Sequence, residues 1–441
     1  MDRVEEAARP GRRGRVARPG TRKRAARPGQ SPPPEPGTAG DRPVSLLAML
    51  DRPLISYYLI LGISTLLLAL GLVMVLSTSS VYQLDQGAPP YSGFQHQLLG
   101  VGLGLPCMWL AARSSTGVFR AAAYPLMFVA ILGLLLVPII GTKSGGVTRE
   151  LQIGPFPFQP SELAKLAFLL WAADLLARKE KLGQLDDWRH LLIPLLPGAG
   201  ALCMLVMLGD DLGTTFLMLV IFLALLWVIG TPARLYLGIL AMIGLVLLIL
   251  IVVAPYRFER LSMFWHPQGL PNGPDMQSIQ GKWAVGSGGW FGVGLGASRQ
   301  KWGYVPNDTT DFIFAILGEE LGLIGTLCVS VLYGGLAFAG LRIARRAQDT
   351  FVRLAAAGAT AWIVVQAMVN IAAVLGLLPI TGVPLPLVSS GLSSLLVTMV
   401  TLGMLMSFAK AEPGARQALA AAGPGAARRA LSWLSLDRRR E

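Results

Sequence analysis

The sequence predicts an all-α polytopic membrane protein. Of its 441 residues, 53% are hydrophobic and 14% are charged, and the mean hydropathy is +0.56. Apolar runs long enough to cross a bilayer as a helix, about 20 residues each, recur through most of the chain. Together these observations are typical of a membrane protein with many spans and exclude an ordinary soluble enzyme.

We expect ten transmembrane helices, with a large extracytoplasmic loop at residues 255–310 between the seventh and the eighth. The short loops after even-numbered spans carry most of the loop cations, which places those loops in the cytoplasm. Both termini are then cytoplasmic, and the 255–310 loop faces outward. The predicted spans are 54–78, 94–112, 121–140, 161–177, 191–209, 213–230, 234–254, 312–341, 352–377 and 386–409.

Polar tails flank the predicted membrane domain, residues 53–410. Residues 1–52 hold twelve Lys and Arg against six acidic residues, with many Pro and Gly, a composition that cannot bury enough surface to fold. We expect a disordered, basic cytoplasmic tail near anionic membrane lipids, and a second cytoplasmic tail at 411–441. The net charge of +13 therefore indicates membrane topology and no nucleic-acid partner.

The sequence predicts no metal site and no disulfide. The three cysteines, Cys107, Cys203 and Cys328, all lie in apolar runs, where cysteine behaves as a small buried hydrophobe. The three histidines are far apart in the sequence and form no ligand motif.

A cluster of hydroxyls and carboxylates meets a long apolar run at Asp311. Because a carboxylate deep in hydrocarbon costs about 3 kcal/mol, we expect Asp311 to lie at the membrane interface. Asp308 to Asp311 are also residue types that cap a helix N-terminus. Spacing alone leaves capping and catalysis open.

A glycine-rich stretch precedes this cluster. Closely spaced glycines let backbone N–H groups approach an anion, and neighbouring cations hold phosphate charge. Gly288, Gly289, Arg299 and Lys301 are therefore candidate phosphate-binding residues. Plain flexibility of the glycine run is the alternative, since the run matches no established nucleotide-binding loop.

Several ionisable residues fall within or beside the predicted spans. Glu162 and Lys165 are three residues apart, on one helix face, and can either pair or serve function. Asp211 either caps the next span or lines a cavity, and Arg149 is an outward-facing cation. Glu319 and Glu320 are expected to face other helices or a wet cavity.

These residues lie in motifs that resemble the SEDS family of membrane proteins, FtsW and RodA, over roughly residues 54–410. The basic tail and the entry at 51–58 are more similar to the actinobacterial FtsW type than to RodA. The motifs are Gln159-Pro-Ser-Glu-Leu-Ala-Lys165, Asp211-Leu-Gly-Thr214, Gly286-Ser-Gly-Gly289, Ser298-Arg-Gln-Lys301, Thr310-Asp-Phe-Ile-Phe-Ala315, Gly318-Glu-Glu-Leu-Gly322 and Pro379-Ile-Thr-Gly-Val-Pro-Leu-Pro386.

The resemblance implies an inverting peptidoglycan glycosyltransferase that polymerises lipid II at the outer face of the bacterial plasma membrane, at the division septum. It also implies a class B penicillin-binding transpeptidase and other division proteins as partners. The family's essential outward aspartate falls on Asp311, its buried ion pair on Glu162 and Lys165, its other intramembrane acid on Asp211 and its loop arginine on Arg149. This chain departs from the family pattern before the aspartate, where Asn307 and Thr309 stand.

The implied reaction requires a base for the acceptor hydroxyl and cations for the departing pyrophosphate. We assign the base to Asp311, kept ionised by the helix N-terminus and nearby cations, and expect a divalent ion, Mg²⁺ or Mn²⁺, to assist. A lipid II flippase that uses the intramembrane charges, an elongation polymerase of RodA type and a recruiting scaffold are the alternatives.

Overall fold

The computed structural model describes residues 54–85, 87, 89–144, 147–154, 156–185, 187–266, 275–412 and 414–415. The predicted tail at 1–52 and most of the predicted tail at 411–441 lie outside these residues.

The described residues are overwhelmingly helical, as predicted. The helices are α1 (Ile55–Asp85), α2 (Ser92–Arg113), α3 (Thr116–Ile140), α4 (Pro160–Lys181), α5 (Trp188–Leu192), α6 (Leu195–Met207), α7 (Leu212–Val228), α8 (Ala233–Val253), α9 (Pro255–Trp265), α10 (Met276–Ser287), α11 (Ile313–Arg346), α12 (Thr350–Val374) and α13 (Leu392–Lys410).

Each predicted span overlaps a helix, but the span 191–209 is divided between α5 and α6, and the first six residues of the span 386–409 are irregular. Seven helical stretches among the described residues are long and apolar enough to cross a membrane: Ile55–Ser80, Thr116–Ile140, Trp188–Met207, Ala233–Val253, Ile313–Arg346, Thr350–Val374 and Leu392–Lys410. Helix α7 is apolar but shorter, and α2 and α4 fall outside this group. The protein is therefore a multi-pass membrane protein, and the count of ten spans stays a prediction.

Helix α4 lies at the centre of the bundle, packed against α3, α7, α12 and α13. Residues on all its faces are buried, including Leu166, Phe168 and Leu169. A helix surrounded by protein needs no lipid-compatible surface, so α4 tolerates charged residues that a lipid-facing helix would not.

A small antiparallel sheet, which the sequence pattern did not predict, connects α3 to α4. Its strands are β1 (Thr142–Ser144), β2 (Val147–Ile153) and β3 (Phe156–Phe158), in the order β1-β2-β3. Leu151 pairs with Phe158 across β2 and β3. Strands this short, broken by Gly and Pro, carry too weak a pattern to be distinguished from a loop.

The described part of the predicted outward loop is structured. Within 255–310 the structure contains α9 and α10, and α10 packs against α11. The loop ends at Phe312, a buried residue whose ring approaches the position that a Cβ on Gly281 would occupy. The prediction that this segment is more than a connector agrees with this arrangement.

The glycine run fills a break in α11. At Gly322 the backbone leaves the helical region, with φ 68° and ψ −164°, which frees the neighbouring backbone groups. The amide of Val293 donates to the carbonyl of Glu319 at 2.9 Å, and the amide of Leu323 donates to the carbonyl of Gly289 at 2.9 Å. The loop thus supplies the hydrogen bonds that the helix has lost.

Close backbone approach explains Gly288 and Gly292. A Cβ on Gly288 would lie 2.0 Å from the carbonyl oxygen of Gly318, and one on Gly292 would lie 2.1 Å from that of Glu320. The run is therefore not a flexible linker along its inserted part, because its backbone is in contact with the broken helix.

Two glycine substitutions separate close packing from backbone strain. Gly292 and Gly296 share φ +78°, but a Cβ on Gly296 meets no atom within 4 Å. Both Gly→Ala changes carry the strain of a left-handed residue, whereas G292A adds a collision with the α11 backbone. We expect G292A to destabilise the protein by about 1–3 kcal/mol more than G296A. Thermal unfolding in detergent measures the difference, and equal melting temperatures would contradict the proposed packing.

Candidate active site

A cavity of about 630 Å³ opens beside the start of α11. Its walls come from β2, the first turns of α4 and α7, helix α9, the segment before α11, and the irregular segment 379–391. The side chains that matter for the chemistry are those of Arg149, Glu150, Glu162, Lys165, Asp211, Tyr256, Arg260 and Asp311. The structure thus brings together five residues that the sequence singled out: Asp311, Arg149, Glu162, Lys165 and Asp211.

Asp311 does not cap α11. The N-cap residue is Phe312, and it makes no side-chain capping bond. The Asp311 carboxylate instead borders the cavity and accepts a hydrogen bond from the Thr310 hydroxyl at 3.0 Å. Of the two interpretations left open by spacing, the structure favours a carboxylate available for chemistry.

Burial sets the acidity of Asp311. The loss of water around the carboxyl raises its pKa, while hydrogen bonds from its own backbone amide and from Thr310, and the charges of Arg260 and Arg149, act in the opposite direction. The net shift is upward, because the loss of water outweighs these stabilising contacts. A carboxylate with a raised pKa is a stronger base once ionised.

Glu162 and Lys165 form a buried ion pair at the inner end of the cavity. Lys165 Nζ lies 2.9 Å from Glu162 Oε1, and both residues are at most 2% exposed. Lys165 also donates to Gln366 Oε1 at 3.3 Å and lies 4.9 Å from the centroid of the Trp362 ring. The pair is neutral as a unit, which lowers the cost of its burial, although Glu162 Oε2 has no hydrogen-bond partner among the described residues.

Asp211 both caps a helix and lines the cavity, so the two alternatives for this residue are compatible. Its Oδ1 accepts from the amide of Thr214 at 3.0 Å at the start of α7. Its Oδ2 accepts from Gln159 Nε2 at 3.1 Å and from the Ser161 hydroxyl at 3.3 Å, at the start of α4. Asp211 therefore holds the N-terminal ends of α4 and α7 together.

Two arginines from different elements face Asp311. Arg149, in β2, is held by the carbonyl oxygens of Gly209 at 3.2 Å and Asp210 at 2.9 Å. Arg260, in α9, is exposed and lines the cavity. Arg149 was predicted as a candidate from the sequence and Arg260 was not, because one arginine among several in a long loop carries no positional signal.

A second polar cluster contains the other predicted residues. Lys301 Nζ lies 3.2 Å from Glu320 Oε1 and donates to the Ser77 hydroxyl at 2.9 Å. Glu319 accepts from the Ser298 hydroxyl and from the amide of Arg299, the latter at 3.1 Å. This cluster fastens the glycine loop to α1 and α11.

The second cluster is separate from the cavity. The lining of the cavity includes none of Gly288, Gly289, Arg299, Lys301, Glu319 and Glu320. Lys301 is 5% exposed and neutralised by Glu320, and Gly288 contacts the α11 backbone. A phosphate-binding role for these residues stays a prediction without support from the cavity geometry.

These sites can be compared with known proteins. The model of the FtsW/RodA/SpoVE cell cycle proteins matches residues 57–413. The chain belongs to the FtsW/RodA/SpoVE family. This confirms the predicted family, which is the one also called SEDS.

Curated members of the FtsW/RodA/SpoVE family show how similar the chain is. A protein of Mycobacterium tuberculosis named as the probable peptidoglycan glycosyltransferase FtsW is 40% identical over 388 residues, which cover 88% of this chain and 74% of that protein. Stage V sporulation protein E of Bacillus subtilis is 36% identical over 356 residues, covering 80% and 96%. The first of these supports the expected likeness to actinobacterial FtsW.

Solved structures of the FtsW/RodA/SpoVE family share the fold. A chain from a structure described as a peptidoglycan synthase complex that coordinates polymerization and crosslinking matches with a TM-score of 0.67 and 27% identity, covering 80% of this chain and 97% of that one. RodA of Thermus thermophilus matches with a TM-score of 0.59 and 28% identity, covering 80% and 96%. The all-α membrane fold is thereby confirmed.

No group of three or more His, Cys, Asp and Glu residues in the described part of this FtsW/RodA/SpoVE member is arranged to hold a metal ion. Mg²⁺ in phosphate sites often takes one or two carboxylates together with substrate phosphates. Asp311 and Glu150 are carboxylates that border the cavity. The divalent ion stays a prediction.

Asp308, outside the cavity lining, provides a pH test of the loop. It is 7% exposed, and burial raises its pKa from 3.8 to about 7. Between these values the folded protein binds more protons than the unfolded chain, so stability from this group falls as pH rises. We expect the melting temperature of D308N to decline less than that of the parent between pH 4 and pH 7. At pH 8, D308N should then melt about 2 °C or more above the parent. Parallel curves for the variant and the parent would refute the assignment.

Proposed function

We propose that this chain is a peptidoglycan glycosyltransferase that polymerises lipid II at the outer face of the plasma membrane during cell division. The observation that carries the proposal is the pairing, in one cavity, of a carboxylate of raised basicity with two arginines. The name of the Mycobacterium tuberculosis relative supports the same activity.

Asp311 serves as the general base. It takes the proton of the acceptor sugar hydroxyl as that oxygen attacks the anomeric carbon of the donor from the side opposite the pyrophosphate. A new carbon–oxygen bond forms, the bond between the anomeric carbon and the phosphate oxygen breaks, and the configuration inverts. The pyrophosphate leaves with the lipid as a stable anion, so a second carboxylate is unnecessary as a general acid.

Arg149 and Arg260 bind the pyrophosphate. Guanidinium groups form charge-assisted and often bidentate hydrogen bonds with phosphate oxygens. Arg149 is fixed in advance by two backbone carbonyls, so it does not have to be ordered when the substrate binds. Preorganised cations at the site where negative charge develops are among the largest contributions to catalysis.

The cavity volume fits the reacting part of such a substrate. Ligand sites commonly measure about 300–1,000 Å³, and 630 Å³ lies within this range. Sugar and pyrophosphate units fit inside, whereas the long lipid tail must remain outside, in contact with the membrane.

The polymerase acts with a class B penicillin-binding transpeptidase and other division proteins. A chain of similar fold comes from a peptidoglycan synthase complex, described in terms of polymerization and crosslinking, which supports a cross-linking partner. We place both termini in the cytoplasm and the protein at the division septum, in agreement with the distribution of loop cations.

Replacing Asp311 tests the base. D311N keeps the size of the side chain and removes its basicity, so we expect polymer formation from purified lipid II to fall by about 10²–10⁴-fold. Glycan strands separated on a gel, with the transpeptidase present, measure the effect. D308N is the matched control, since Asp308 is a neighbouring buried carboxyl outside the cavity, and it should retain activity within a few-fold.

The outcomes of these assays distinguish the proposed base from two alternative functions. Full polymerisation by D311N would refute the base assignment. Absence of polymer from the unchanged protein, together with transfer of fluorescent lipid II across vesicles measured by dithionite quenching, would instead favour a flippase. Normal glycan synthesis with every site substitution would favour a recruiting scaffold.

The arginine assignments are tested by three substitutions. We expect R149A and R260A each to lower kcat/KM for lipid II by about tenfold or more, because each removes a charge-assisted bond to the pyrophosphate. R299A should leave kcat/KM nearly unchanged, since Arg299 belongs to the second cluster. A loss in R299A equal to that in R260A would instead support the phosphate-binding role predicted from the sequence.

A further inference from the structure

The backbone leading into Asp311 is held from outside its own segment. The carbonyl of Thr309 accepts from the Ser390 amide at 2.9 Å and the Ser390 hydroxyl at 2.8 Å, and that of Thr310 accepts from the Ser389 hydroxyl. The carbonyl of Asp311 itself accepts from Asn370 Nδ2 at 2.7 Å. Three consecutive carbonyls therefore have partners supplied by α12 and by segment 379–391.

Asn370 joins two walls of the cavity. It lies on α12 and is 2% exposed, and the same Nδ2 atom donates to the carbonyl of Val383 at 2.7 Å. An amide nitrogen carries two hydrogens, so it can donate to both carbonyls simultaneously. Asp311 and Val383 both border the cavity, and the position of one is thereby tied to the position of the other.

We propose that Asn370 is a positioning residue, which orients Asp311 toward the acceptor hydroxyl through the Asp311 backbone. The inference rests on the proposed function. The Asp311 side chain is fixed locally, by Thr310 and by its own amide, so its direction follows from the placement of the backbone. A displacement of about 1 Å in a reacting group costs on the order of 10²-fold in rate, which makes this constraint consequential.

The test replaces Asn370 by Leu, which keeps the shape of the side chain and removes both donated bonds. We expect N370L to lower the kcat of glycan polymerisation by about tenfold or more, with KM for lipid II changed by no more than about twofold. Full-length protein in complex with its transpeptidase is assayed, and melting temperature and co-purification are recorded. A variant that retains the parental kcat would overturn the proposal.

Y333F is the matched control. The hydroxyl of Tyr333, a residue 2% exposed on α11, donates to the carbonyl of Pro386 in the same irregular segment. Its removal deletes one buried bond to that segment and leaves the carbonyls of residues 309–311 untouched. We expect Y333F to keep kcat within about twofold of the parent, even with a lower melting temperature. Equal losses of kcat in Y333F and N370L would show general loosening and overturn the positioning role.

A third variant keeps the test decisive if N370L fails to fold. S389A removes the hydroxyl bonded to the Thr310 carbonyl. Like N370L, it should lower kcat by a larger factor than it changes KM for lipid II. Comparison with D311N separates this inference from the proposed function. An inactive D311N with fully active N370L and S389A refutes the positioning role alone, whereas an active D311N refutes the base and with it the reason for positioning.

Discussion

The central constraint on this fold is that backbone hydrogen bonds must be satisfied close to the membrane, where an unpaired amide or carbonyl costs several kcal/mol. The chain leaves helical geometry at Gly322 and again in segment 379–391. At the first break the glycine run supplies the missing partners, and at the second Asn370, Gln366 and Tyr333 donate to carbonyls of the segment. The irregular backbone is stable at both breaks because other protein groups satisfy its hydrogen bonds. Segment 379–391 also forms part of the cavity wall.

Buried acidic side chains, like buried backbone groups, have partners within the protein. Glu162 is neutralised by Lys165, Glu320 by Lys301, and Asp211 is saturated by a helix N-terminus and three side-chain donors. Asp311 differs because its local bonds come from an adjacent hydroxyl and its own amide, and its cations face it across the cavity. The fold thus gives Glu162, Glu320 and Asp211 partners, whereas burial leaves the carboxyls of Asp311 and Asp308 with raised pKa values.

Local patterns in the sequence predicted what depends on neighbours along the chain. Hydropathy located the helices, the i,i+3 spacing placed Glu162 beside Lys165, and the Asp-Leu-Gly-Thr pattern allowed for a cap at Asp211. Contacts between distant residues could not be predicted in this way. Lys301 forms an ion pair with Glu320 outside the cavity. Asn370 donates a hydrogen bond to the Asp311 carbonyl, although the two residues are 59 positions apart in the sequence. The glycine run illustrates both cases. Its composition is visible in the sequence, whereas the break in α11 against which it packs is not.

The two cavity arginines are mounted on supports of unequal rigidity. Arg149 sits in a sheet and is bonded to backbone, whereas in α9, all of which the structure describes, no residue is buried. Helix α9 is tethered at one end by the pair between Arg257 and Asp210, at 2.8 Å, whose acidic partner is exposed. If the two arginines bind a pyrophosphate as proposed, Arg149 therefore offers it a fixed contact, and Arg260 offers one carried on a helix without buried residues.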